Sequence, residues 1–349
     1  MTFLERLQRD GIRRSGSVRS GFRYFTAGGK ALTAKDAGRC RKLVLPPAWT
    51  DVRIATTDRA HLQAVGQDQA GRWQYRYSLA FRERQDQRKY DRVIAFAEAL
   101  PKMRAMVNRD LRRQGVGREK VMACIMKVLS TCFIRPGSEQ YADENGSYGL
   151  ATLRRKHVTV KGDLVHFEFL GKSSQQQVRE VRDRQVARII QKLLAMPGHE
   201  VFKFRDEAGD VVDVKRQHIN DYIKEVMGDR FSAKDFRTWA GTLIAACALA
   251  RASAAAQDVA PRKQIVAAVK EAASILGNTP AICRASYIYP SVLSSFERGK
   301  TVERYFESVE ELVMHRGLGL HSSEKALLSM LKASARKAPS VVLRRASGI

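Results

Sequence analysis

VTVKGDLVHFEFLGKSS, residues 158–174, is the stretch where a largely helical chain stops reading as helix. Val158 and Val160 precede the turn Lys161-Gly162-Asp163. Val165, Phe167 and Phe169 then alternate with His166 and Glu168, and Gly171-Lys172-Ser173-Ser174 makes a second turn. Alternation at a period of two between small polar turns predicts a β-meander over residues 157–182, with Lys172 at a hairpin tip. Helical periodicity resumes on both sides. Before the meander, Val121, Ile125, Val128 and Cys132 recur at spacings of three and four, one face of a helix over 118–134. A loop with Pro136-Gly137 and Asn145-Gly146 follows it. Residues 80–99 and 102–115 predict two helices parted at Pro101. After the meander, helices are expected over 183–195, 215–227, 233–252 and 262–276, then a short one beyond Asn278, then pieces over 303–335.

The N-terminal part has another texture. Its first forty residues are dense in Arg and Gly and loose in pattern. Residues 61–67 and 73–79 predict two strands joined by Asp68-Gln69-Ala70-Gly71, with Gln74, Arg76 and Ser78 alternating with Tyr75, Tyr77 and Leu79. The fold class expected is α+β. A small β-rich domain over residues 1–88 precedes a mainly α-helical domain over 89–349 that contains the short meander. Lys337 to Ile349 reads as a frayed basic tail.

Charge narrows the partner. Lys and Arg number 62 against 36 Asp and Glu, a formal net charge of +26 over 349 residues. Such an excess sets up a field that attracts polyanions, and cations that neutralise phosphates gain affinity by releasing counterions. Duplex DNA is the expected partner. A membrane is not: the opening MTFLERLQRDGIRRSG has no apolar core of a secretory signal, and the apolar run from Trp239 to Ala250 is too short to span. The five cysteines, Cys40, Cys124, Cys132, Cys247 and Cys283, form no C-x-x-C pair, which suits a reduced, cytoplasmic, nucleoid-associated protein. No histidine or cysteine pattern suggests zinc, and no phosphate-cradling G-x-x-x-x-G-K-[ST] loop suggests ATP. No cofactor and no metal are expected.

Four segments carry chemistry: Arg135-Pro136-Gly137 onward to Tyr141, Gly171-Lys172, Lys234-Asp235-Phe236-Arg237, and Gly277-Asn278-Thr279-Pro280 with Arg284-Ala285-Ser286-Tyr287. Together they can exchange one phosphodiester for another without metal. Tyr287 would supply the attacking oxygen; a phenol, with a pKa near 10, is a poor nucleophile until cations favour its anion. Arg135 and Arg237 can do that and also bind phosphate oxygens with their planar forks. Lys172 could protonate the departing 5′ oxygen, since a lysine among cations has a lowered pKa. Asn278 can donate to a phosphate oxygen at any pH. Thr279-Pro280 is a helix start that would hold Tyr287 about two turns along.

Each residue alone has a plain reading: a solvated arginine, a turn lysine, a capping asparagine, a core tyrosine. Cys283 reads as a buried helix position. Tyr289 is a rival nucleophile. The five residues in this order resemble the type IB DNA topoisomerases, in particular the short bacterial and poxvirus-type enzymes. Leu45-Pro46-Pro47-Ala48-Trp49-Thr50-Asp51-Val52 and Gly71 to Tyr77 resemble that family's N-terminal domain, and residues 135–288 its catalytic core. The resemblance implies a catalytic set of Arg135, Lys172, Arg237, Asn278 and Tyr287, a 3′-phosphotyrosyl intermediate, relaxation of supercoils without ATP, and a monomer closing as a two-domain clamp on DNA. It further implies DNA contacts at Gln74, Tyr75, Tyr77 and Tyr141. Lys234, one helical turn before Arg237, would meet DNA or the leaving oxygen.

One departure stands out. The best-known members carry histidine where this chain has Asn278, so a proton carrier at that position is not obligatory. The runner-up is a tyrosine recombinase, which would more often show histidine two residues before the second arginine, where this chain has Asp235. An inert DNA-binding protein is the third reading. The charge permits it and the intact five-residue set opposes it.

Overall fold

The computed structural model describes residues 2–255 and 259–337, so the basic tail lies outside the described residues apart from Lys337. The chain divides into two units, residues 1–89 and 90–349.

The first unit opens with α1 (Phe3–Asp10), started by a reciprocal cap between Thr2 and Glu5. Five strands follow, β1 (Ile12–Ser17), β2 (Gly21–Phe25), β3 (Thr50–Ile54), β4 (Leu62–Gln67) and β5 (Trp73–Tyr77), with α2 (Ala34–Lys42) between β2 and β3. They form one antiparallel sheet in the order β2-β1-β3-β4-β5. The turn after β4 is closed by the Asp68 side chain, which accepts from the backbone of Ala70 and Arg72. The loose early segment therefore holds the helix α1, most of α2 and two strands. Their pattern is faint because β1 buries only Ile12 and β2 only Tyr24, so there is little alternation to read. The core of this unit gathers Ile12, Tyr24, Ala37, Cys40, Val52, Ile54 and Ala64.

The second unit is mainly helical. α3 (Leu79–Leu111) carries the chain into it as one helix with Pro101 inside. That corrects the expected break. Phe96, Leu100, Met103, Val107 and Leu111 are all buried along one stripe, and packing on both sides of the proline outweighs the hydrogen bond it removes. Next come α4 (Arg118–Cys132) and α5 (Glu139–Asn145), the latter within the expected loop. β6 (Val158–Lys161), β7 (Leu164–Leu170) and β8 (Gln176–Arg182) form the meander, in sheet order β6-β7-β8. Val165, Phe167 and Phe169 face the core, as their alternation requires. α6 (Arg184–Ala195), the small hairpin of β9 (Lys203–Arg205) and β10 (Val211–Asp213), and α7 (Arg216–Met227) lead to α8 (Ala233–Ala254).

α8 is the central element. From Ala233 to Ala250 every residue but Lys234 is buried, so the helix is enclosed on all sides. Phe96 meets Phe231 and Phe236 edge-on at ring distances of 5.7 and 4.8 Å. α9 (Pro261–Leu276), α10 (Pro280–Ser286) and α11 (Pro290–Glu297) follow, then α12 (Val309–Val313) and α13 (Ser322–Lys337). The buried Glu324 of α13 accepts from Trp239 Nε1 at 3.2 Å and pairs with Arg104 at 2.9 Å, which fastens the C-terminal helices to α3 and α8. Among the described residues no helix is long and apolar enough to cross a membrane.

Candidate active site

Arg237 sits one turn into α8, where the start of the helix is fixed tightly. Asp235 Oδ2 accepts from the backbone nitrogen and hydroxyl of Ser232, both at 2.9 Å, and Asp235 Oδ1 pairs with Arg92 at 2.8 Å. Asp235, standing where a recombinase would more often carry histidine, is thus occupied in holding the helix. Arg237 is only 3% exposed. It donates through Nη1 to the carbonyl of Phe133 and through Nη2 to that of Leu276 at 2.7 Å. Phe133 ends α4 in the left-handed conformation.

Arg135 follows two residues later. Its Nη2 donates to the Gly277 carbonyl at 3.2 Å and to Asn278 Oδ1. Leu276, Gly277 and Asn278 lie at the end of α9, and Gly277 caps that helix at a φ of +58°, a conformation that favours glycine. A helix end leaves carbonyls unpaired and partly negative. Here two guanidinium groups take them. Among the described residues no carboxylate pairs with either arginine.

Tyr287 ends α10. The helix starts as its sequence requires, with Thr279 accepting from Ile282 nitrogen at 3.4 Å and Pro280 in the first turn. The Arg237 guanidinium carbon stands 5.1 Å from the Tyr287 ring centre. Burial pushes the Tyr287 phenol up, but the charge and hydrogen bonding of Arg237, with the charges of Arg135 and Lys234, outweigh it and hold the phenol below its ordinary value. Burial brings Arg237 down to about 10, helped by the charge of Arg135. The rival Tyr289 is 6% exposed, and burial together with the charge of Asp91 moves its phenol the other way. Asn278 Nδ2 and Arg237 Nε are buried donors without an acceptor among the described residues, which suits them to phosphate oxygens.

The structure thus brings Arg135, Arg237, Asn278 and Tyr287 together. Lys234 is exposed and acts on Tyr287 through its charge. Lys172 lies exposed on a one-turn helix between β7 and β8, and no hydrogen bond or ion pair joins it to the other four. In the first unit, Tyr75 and Tyr77 are 44% and 39% exposed and their rings stack at 6.3 Å. Gln74 points to the opposite face of β5, and its amide donates to Asp68 Oδ2 at 2.9 Å. The Tyr141 side chain lies outside the described residues.

Residues 78–311 match the sequence model of the eukaryotic DNA topoisomerase I catalytic core. Residues 21–68 match that of the bacterial DNA topoisomerase IB N-terminal domain. The chain belongs to the type IB DNA topoisomerases. DNA topoisomerase 1B of Acanthamoeba polyphaga mimivirus is 31% identical over 304 residues, 85% of this chain and 90% of the viral one. DNA topoisomerase 1B of vaccinia virus strain Copenhagen is 24% identical over 255 residues, 71% of this chain and 78% of its own. The XerH site-specific recombinase bound to difH is 12% identical at a TM-score of 0.32, covering 55% of this chain and 48% of that one, a likeness too slight to bear on the fold.

One residue of the candidate site carries no chemical signal in the sequence. Gly241 lies one turn beyond Arg237, and a Cβ there would stand 2.9 Å from the Tyr287 carbonyl oxygen and 3.1 Å from the Tyr287 Cβ. Thr242 fixes the same segment, its hydroxyl accepting from Tyr289 nitrogen at 3.1 Å. Gly241→Ala is expected to shift Tyr287 by a few tenths of an ångström and to slow DNA cleavage by about 10- to 100-fold, since reaction rates are steep in reactant placement. DNA affinity should stay unchanged. Single-turnover cleavage beside a gel-shift titration checks this, and an unaffected cleavage rate would show that the close approach is immaterial.

Proposed function

We propose that this chain relaxes supercoiled duplex DNA by cutting and resealing one strand through Tyr287. The observation that carries the reading is the Arg237 guanidinium 5.1 Å from the Tyr287 ring centre, with Arg135 bonded to Asn278 beside it and a buried amide donor left on Asn278. The Tyr287 oxygen attacks a backbone phosphorus and the bond to the 5′ oxygen breaks, leaving a 3′-phosphotyrosyl link. The phenol proton passes to solvent, and Lys172 gives a proton to the leaving 5′ oxygen. Arg135, Arg237 and Asn278 stabilise the charge that builds on the phosphoryl oxygens. The free 5′ end swivels, and the reverse attack reseals the strand. One phosphodiester replaces another, so the cycle needs no ATP.

Binding in this proposal rests on phosphate contacts from the basic surface, with Tyr75, Tyr77, Gln74, Tyr141 and Lys234 touching the duplex, and falls steeply with salt. The enzyme acts as a monomer that clamps DNA in the nucleoid. Plasmid relaxation in EDTA without ATP tests the reading. Supercoils should be lost from plasmids of unrelated sequence, with a covalent protein–DNA adduct trapped by detergent. Activity restricted to paired recognition sites would instead indicate a recombinase.

A further inference from the structure

Three arginines close on three consecutive carbonyls at the end of α9. Arg237 takes Leu276, Arg135 takes Gly277, and Arg179 donates to Ile275 at 3.1 Å. The reaction described above uses the first two. Arg179, on β8, is half-buried and has no carboxylate partner among the described residues. The same Nη2 that reaches Ile275 also donates to Gln177 Oε1 at 2.9 Å.

Gln177 is the unusual member. It pairs with Phe169 across the β7–β8 ladder and shares the inward face that carries Val181 into the core. It is 8% exposed, a polar side chain where the alternation calls for an apolar one. Two glycines pack against it. A Cβ on Gly171 would come within 2.8 Å of Gln177 Cγ, and a Cβ on Gly277 within 2.4 Å of Gln177 Oε1. Gly171 directly precedes Lys172, and Gly277 directly precedes Asn278.

We propose that Gln177, oriented by Arg179, is a positioning residue that ties the Lys172 loop to the Asn278 end of α9. The inference rests on the phosphotyrosyl reading and on Lys172 as its proton donor. The physical need is plain. Lys172 sits exposed on a short loop, closed by the Gly171 nitrogen donating to the Gln175 carbonyl at 2.8 Å. Among the described residues of that loop no side chain is hydrogen-bonded to the arginines, while Gln177 spans from the base of the loop to the phosphate-binding side. A proton donor must lie within hydrogen-bond reach of the leaving oxygen when the bond breaks. The arginines already share α9 as their template, and Gln177 extends that template to the lysine. Both glycines are required because a side chain at either position would displace the glutamine.

The test separates the lysine arm from the arginine arm by changing the leaving group. One DNA duplex carries an ordinary scissile phosphodiester; a second carries sulfur in place of the bridging 5′ oxygen. A thiolate leaves without a proton, so a defect acting through Lys172 should vanish on the second substrate. Gln177→Ala is expected to slow single-turnover cleavage by about 10- to 100-fold on the oxygen duplex and to stay within about threefold of the native rate on the sulfur duplex. Gln177→Glu, which keeps the length and the acceptor for Arg179, should recover most of the oxygen rate. Lys172→Ala should show the Gln177→Ala pattern more strongly, and Arg135→Ala should be slow on both substrates. Equal slowing of Gln177→Ala on the two duplexes, no slowing on either, or no recovery with Gln177→Glu would overturn the proposal. Failure of the native enzyme to form an adduct with either duplex would instead remove the phosphotyrosyl reading on which it rests.

Discussion

Tyr287→Phe is expected to bind DNA as tightly as the native chain and to form no covalent adduct. The change removes one oxygen and leaves the ring, so its packing beside Arg237 persists. Affinity should hold because it comes from cations meeting phosphates, and none of those is touched. Cleavage should fall by more than about 10⁴-fold, the order seen when a covalent nucleophile is deleted. Tyr289 cannot take over: it is buried, its backbone is pinned to Thr242, and burial holds its phenol above the ordinary value. The measurement is adduct formation on a labelled duplex beside a binding titration, with the linked peptide mapped by mass. An adduct persisting in Tyr287→Phe, or a native adduct mapped to Tyr289, would falsify the assignment of the nucleophile.

How much of this was legible depends on where the signal lies. The meander could be read because Val165, Phe167 and Phe169 alternate and the core takes all three. The helix before Tyr287 could be read because Thr279-Pro280 is both a cap and a first turn. Side chains with their own chemistry announced themselves, and the structure brings Arg135, Arg237, Asn278 and Tyr287 to one place. What surrounds them did not. Backbone carbonyls exist at every residue, so nothing marks Leu276 and Gly277 as the acceptors that gather the arginines. Gly241 is hidden in an apolar helix where a small residue is unremarkable. Gln177 sits among three consecutive glutamines and reads as a solvated strand residue until its burial is seen. Pro101 misled for the opposite reason: the local rule was sound, and packing of the α3 stripe overrode it.

The two arginines look equivalent in sequence, yet their surroundings predict different costs. Arg135→Ala removes a donor that is partly open to solvent, and the oxygens it served, on Gly277 and Asn278, can turn to water. It should slow cleavage by about 10²- to 10³-fold, the usual loss of one transition-state donor, with little change in melting temperature. Arg237→Ala should lose at least as much rate and destabilise the fold as well. It leaves the Phe133 and Leu276 carbonyls without their donor in a buried site, at about 1–3 kcal/mol for each group. Arg237→Lys keeps the charge, but a single ammonium lacks the fork that serves both carbonyls at once, so it should recover little.

Both alanine variants should also move the pH profile of cleavage. The cations hold the phenol below its ordinary value by favouring the phenolate. In the native enzyme the rising limb of the profile, where the phenol ionises, therefore lies below the ordinary tyrosine range. With either arginine removed the phenol's pKa goes up, the rise moves to higher pH, and the defect is larger near neutrality than in alkali. Single-turnover rates across pH, with thermal melts of the same samples, check both halves. A pH profile unmoved in Arg237→Ala would mean that the guanidinium does not act on Tyr287, and its contribution would then be to the phosphate and the fold alone.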